Sequence, residues 1–130
     1  MKRVMLGLAA VSVWAVPVLA QDAPPKENVG FSAQALGEIE LAKEFDATGT
    51  RKFRMRTITL EPGGIIALHS HAERPAIEYV VSGEATEYRG TEEIAHKGGT
   101  VVVTDHTAEH WWKNTGTEPL QIIAADIYIP

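Results

Sequence analysis

His69, His71 and His110 are the residues of this 130-residue chain whose types and spacing can do chemistry. Histidines at i and i+2 of an extended segment project from the same face of a strand. A third imidazole arriving from a neighbouring strand completes a facial set around one divalent metal. Cysteine is absent, which excludes thiolate metal sites, thiol catalysis and disulfide stabilisation alike. Any metal must therefore take His, carboxylate, backbone or water as its ligands. Trp112 follows His110 by two residues, so it shares that face and predicts an apolar wall near the imidazoles, whereas Trp111 points the other way. No Gly-rich phosphate loop, nucleophile elbow or paired-Cys zinc motif occurs.

Such a set needs short strands to hold it, and the chain reads that way. Residues 53–60 alternate and are rich in β-branched side chains, and Pro62-Gly63 favours a type II turn. Strand-like runs follow at 65–68, 76–81, 84–88, 100–104, 109–113 and 120–129, punctuated by Gly83, Gly90, Gly98-Gly99 and Gly116. No 3.6-residue apolar period is sustained, although 35–43 is compatible with a short helix. Many short strands at this spacing predict an all-β sandwich or small barrel. His96, beside Lys97-Gly98-Gly99, reads as a surface turn residue. Asp105, His106 and Glu109 form a turn cluster that leads into His110.

The ends read differently. Lys2 and Arg3 precede an uncharged apolar run over 4–18, and Val18-Leu19-Ala20 offers small residues before Gln21. This pattern predicts a signal peptide over 1–20, removed on export to a bacterial periplasm, with no membrane span after cleavage. Residues 21–35, rich in Pro, Gly and polar side chains, predict a flexible lead-in, leaving one domain over 36–130. Loss of Lys2 and Arg3 changes the formal charge from −5 to −7. An acidic chain without clustered Lys and Arg is a poor partner for nucleic acid or an anionic membrane.

Two spacings, read together, resemble the paired motifs of the cupin superfamily. Gly63, His69, His71 and Gly83 fall in register with the first motif, and Gly99, His110 and Asn114 with the second. The resemblance covers roughly 50–128 and implies a single jelly-roll-like antiparallel β-barrel. For function it implies less, because dioxygenases, isomerases, decarboxylases and sugar-binding proteins share that barrel. Departures matter here. Ala76 stands where the family carries a metal-binding Glu, and Asp105 and Thr107 replace its Pro and Gly.

The resemblance therefore implies a three-histidine site, His69, His71 and His110, holding one divalent ion among Fe, Zn, Mn, Ni and Cu. Thiol and diketone dioxygenases of the superfamily use such ligation. A cupin that has lost its metal is the competing reading of the missing Glu. Glu78, two residues beyond Ala76, shares its face and is expected as a fourth ligand, a water-mediated one or a general base. If it is none of these, it pairs with an internal cation. Arg74 is expected to receive a substrate carboxylate, or else to pair with a neighbour such as Glu73. The expected activity is dioxygenase-, isomerase- or lyase-type chemistry on a small molecule, and the alternative is a non-catalytic binding or sensing cupin. The apolar C-terminal run offers an edge for a homodimer.

Overall fold

Strand β3 (Ala76–Ser82) shows the rule that builds this protein: Ala76, Glu78 and Val80 are buried while Ile77, Tyr79 and Val81 are exposed. Strict alternation of this kind places one face of a sheet on the core. The computed structural model describes residues 23–45 and 49–130. The expected signal segment, 1–20, lies outside the described residues.

Eight strands form one curled sheet. They are β1 (Val29–Glu40), β2 (Lys52–Ser70), β3, β4 (Glu84–Arg89), β5 (Glu92–Lys97), β6 (Val101–Thr104), β7 (Glu109–Lys113) and β8 (Leu120–Tyr128). The order is β5-β4-β7-β2-β8-β3-β6, with β1 added on β2, and every pairing is antiparallel. The architecture is all-β, as the strand pattern predicts. Leu60, Val80, Trp112, Leu120, Ile122 and Ala124 fill the concave side. Among the described residues no helix is long and apolar enough to cross a membrane.

Long β2 organises the barrel. Its first half pairs with β1 and β8, and its second half with β7, so one strand carries the chain from one wall to the next. The change of direction falls at Gly63, whose φ of 74° suits glycine. Here the expectation of two strands split by a turn is corrected: the bend is present, but residues 52–70 are one element. Pairing continues through the bend because the Gly63 N–H donates to Asn114 O and the Asn114 N–H donates to Gly64 O. The buried Asn114 side chain also donates to Leu60 O at 2.8 Å and Glu118 O at 2.9 Å, and accepts from the Gly116 N–H. Asn114→Ala strands those buried groups, and a loss on the order of 1–3 kcal/mol is expected in urea unfolding.

Two further expectations fail. The lead-in over 21–35 and the short helix over 35–43 give way to β1, which starts at Val29 and ends in a 3₁₀ turn at Leu41–Lys43. The domain therefore begins before residue 36. Backbone pairing to β2 holds β1, reinforced at its end by Glu38, which accepts from Lys52 Nζ at 2.6 Å and from the Tyr128 hydroxyl at 2.9 Å. On the convex side Ile77, Tyr79, Val81, Val101 and Val103 form an exposed apolar face across β3 and β6.

Candidate metal centre

Register brings the histidines together. His69 on β2 lies directly opposite His110 on β7, and His71 follows two residues on, where its N–H donates to Ala108 O. The His71 and His110 side chains are fully buried, and His69 is partly so. Their Nε2 atoms form a triangle with edges of 3.1 Å (His69–His71), 3.0 Å (His71–His110) and 3.2 Å (His69–His110). Among the described residues this is the group of His and carboxylate side chains able to hold a metal ion.

What surrounds the triangle decides its chemistry. His69 Nδ1 donates to Ala67 O at 2.8 Å and His71 Nδ1 to Arg74 O at 2.7 Å. A carbonyl only accepts, so each Nδ1 carries the proton and each Nε2 presents a lone pair. His110 Nδ1 is bonded to the Glu87 carboxylate, with the same consequence. Three lone pairs converging on one point repel one another unless a cation lies between them. A metal about 2.0–2.1 Å from each nitrogen would see them at roughly 90–105°, between an octahedral face and a tetrahedron. The residues therefore fit a divalent metal with coordination positions left open.

Protonation would destroy this arrangement, and the surroundings resist it. Burial pushes the His69 and His71 imidazoles down to about 4; nearby His110 and Arg74 act in the same direction, and the backbone acceptors offset part of the effect. With folded values below the ordinary 6.5, the unfolded chain binds more protons between about pH 4 and 6.5. The stability these two groups contribute is present above 6.5 and is lost as pH falls towards 4. In metal-free protein their imidazole NMR signals are expected to titrate near pH 4; midpoints near 6.5 would contradict the burial argument.

Glu87 was not anticipated. It lies on β4 opposite Trp112, is fully buried, and is a hub: Oε1 binds His110 Nδ1 and accepts from Arg89 Nε at 2.5 Å, while Oε2 is 2.8 Å from His96 Nε2. Burial alone would raise its pKa, but the bonds from His110, His96 and Arg89 outweigh this and hold the carboxyl down at about 2. An anion thus stands one side chain behind His110, in a chain whose Ala76 supplies none. The reading of His96 as a surface turn residue is corrected too. It is 8% exposed, lies on β5 and stacks on Trp112 at 4.8 Å. Strand alternation puts Ala85 with Glu87 and Ile94 with His96, which was the available signal.

A cavity of about 370 Å³ opens beside the triangle, lined by Arg56, Ile66, His69, Arg74, Glu78 and Trp112 among others. The expected Glu78, Arg74 and Trp112 are therefore brought to one place. Trp112 is almost fully buried, edge-on to His110 at 6.0 Å. Glu78 is 6% exposed, its Oε2 has no hydrogen-bond partner, and burial pushes its carboxyl up. Among the described residues no ion pair joins Arg74 to Glu73, which lies 4.0 Å from Arg51 instead. Arg56 is a cavity cation that local sequence did not reveal. Trp111 leaves the site, stacked on Tyr88 at 3.8 Å. Asp105, His106 and Glu109 are exposed, and Asp105 caps its own turn by accepting from the Thr107 N–H and hydroxyl. A larger groove of about 700 Å³, near Gly83 and Gly116, carries none of these residues.

A curled antiparallel half-barrel with three inward histidines on adjoining strands defines a cupin-type protein. The sequence matches the Cupin domain over residues 56–126, and the chain belongs to that family. Among solved structures it is similar to a predicted oxalate decarboxylase from Thermotoga maritima, at 23% identity and a TM-score of 0.61, covering 87% of this chain and 99% of that one. A Cupin 2 conserved barrel domain protein from Salinispora arenicola shares 18% identity at 0.59, with 88% and 89% covered. KdgF from Halomonas sp. also shares 18% at 0.59, with 75% and 78% covered. At these identities the likeness concerns the fold. No curated protein matches the sequence.

Proposed function

We propose that this cupin holds one divalent metal on His69, His71 and His110 and uses it to act on a small molecule in the adjoining cavity. The observation that carries the reading is the convergence of three Nε2 lone pairs, each fixed by a committed Nδ1–H. When bound, the metal supplies Lewis acidity or, for Fe or Cu, O₂ activation. The chain's own residues do the rest. Trp112, Ile58 and Ile66 exclude water, Glu78 takes or returns a proton at Oε2, and Arg74 orients the bound molecule.

The experiment is a screen of metal-loaded protein for O₂ uptake and for turnover of small carbonyl compounds. Consumption in either assay supports catalysis. Ligand-dependent melting shifts without consumption would move the reading to a binding or sensing cupin. Export rests on the N-terminal pattern alone, and intact mass of protein recovered from the periplasm should lack residues 1–20. Self-association belongs to the same proposal, but the expected C-terminal edge is corrected: β8 is paired on both sides, to β2 and β3. The surface proposed is therefore the exposed apolar face of β3 and β6, and its check is the oligomeric state in solution.

A further inference from the structure

Every charged group that faces the cavity has unspent bonding capacity. Asp126 lies beside the Arg56 guanidinium, but its carboxylate is committed to Arg54, accepting from Nε at 3.0 Å and from Nη2 at 2.8 Å. Arg56 approaches the same oxygen only at 3.4 Å, and its buried Nε has no partner. Arg74 makes no ion pair among the described residues, and it is close enough, with Arg56, to oppose protonation of His71. Glu78 Oε2 faces the same space without a partner.

Charge decides what fits. Arg54, Arg56 and Asp126 together leave one positive charge, Arg74 adds a second, and a divalent metal would add two more, while the Glu87 carboxylate behind His110 is already balanced by Arg89. One Glu78 carboxylate cannot balance that, and uncompensated buried charge is costly. The missing component is an anion. Phe31, Ile58, Ile66 and Trp112 give it an apolar wall, and Glu78 gives it a polar partner on the far side. A volume of about 370 Å³ is at the small end of ligand pockets.

We propose that this cavity takes a small carboxylate that also carries a hydrogen-bond donor, its carboxylate on Arg56 and Arg74 and its donor on Glu78. The inference deepens the function proposed above, and it rests on that reading only for the metal beside the cavity. Guanidinium groups bind carboxylates through paired, charge-assisted bonds, which a neutral amide of equal shape cannot match.

The test is calorimetric titration of metal-free and zinc-loaded protein with butyrate, butyramide and 3-hydroxybutyrate. Butyrate should bind about tenfold or more tightly than butyramide, as one lost charge-assisted contact implies. 3-Hydroxybutyrate should bind more tightly than butyrate, and Glu78→Ala should erase that difference alone. Arg74→Met, at a partly exposed loop position that the fold does not need, should weaken butyrate about tenfold with zinc content unchanged. Arg56→Met should do the same. Equal binding of butyrate and butyramide, or indifference to both arginine variants while zinc is retained, would overturn the proposal and leave the metal reading intact. Failure to retain zinc or any of Fe(II), Mn(II), Ni(II) and Cu(II), with butyrate still preferred, would sink the metal reading and leave the carboxylate site standing.

Discussion

Glu87→Gln is expected to weaken divalent-metal binding by roughly 10- to 100-fold, the usual cost of losing a group that orients a ligating imidazole. Glutamine keeps the size of the side chain and can still accept from His110 Nδ1, so the change isolates charge. In the wild-type protein that charge is held in place by three donors: His110, His96 and Arg89. It matters here because the three ligands are all neutral, and Ala76 contributes no anion where other cupins place one. His69 and His71 lean on backbone carbonyls, which fix their tautomers without adding charge. His110 alone is backed by a carboxylate, so the donor strength of the centre should reside mainly there. Competition against a zinc chelator gives the affinity directly, and Glu87→Asp should recover part of it. An unchanged affinity in Glu87→Gln would show that Glu87 serves packing and not the metal.

Asp126→Ala is expected to cost about 3–5 kcal/mol of stability, because it removes one partner of a buried ion cluster and leaves the others. Asp126 is 1% exposed and takes a bidentate grip from Arg54, with Arg56 alongside at 3.4 Å. Arg54 also lies 4.0 Å over the Tyr128 ring, which keeps it in place once its anion is gone. Two guanidinium groups, neighbours at i and i+2 on β2, would then lie side by side opposite β8 without compensation. Urea unfolding should show the loss as a lower midpoint with little change in slope. The double variant Arg54→Met, Asp126→Leu should lie well above the single one, since an apolar pair of similar volume avoids the stranded charge. A single variant as stable as wild type would mean that this cluster is solvated and not structural.

The part of this protein legible in its sequence is the part written in local pattern. Alternation over 76–81 and 109–113 names the buried face residue by residue, and the same alternation puts His69 with His71 and His110 with Trp112. Strand β1 was illegible for a physical reason. Phe31 apart, its side chains are exposed, so no alternation marks it, and backbone pairing to β2 holds it. The charged hub was missed for another reason. Glu87, His96 and His110 come from three strands, and only the registers Ala85 opposite His96 and Glu87 opposite Trp112 bring them together. Arg56 entered the cavity in the same way. The missing anion was visible as an absence at Ala76, but a carboxylate reaching His110 from β4 is a fact of pairing, not of spacing.

The central claim is that His69, His71 and His110 hold one metal, and its most direct test is elemental analysis of the protein beside His71→Ala. Each would be reconstituted in turn with Fe(II), Zn(II), Mn(II), Ni(II) and Cu(II), then freed of loosely held ions. One equivalent of a divalent metal per wild-type chain is predicted, and less than a tenth of that in a variant whose circular dichroism is unchanged. Equal metal in the two proteins, or none in the wild type with any of the five ions, would contradict the account.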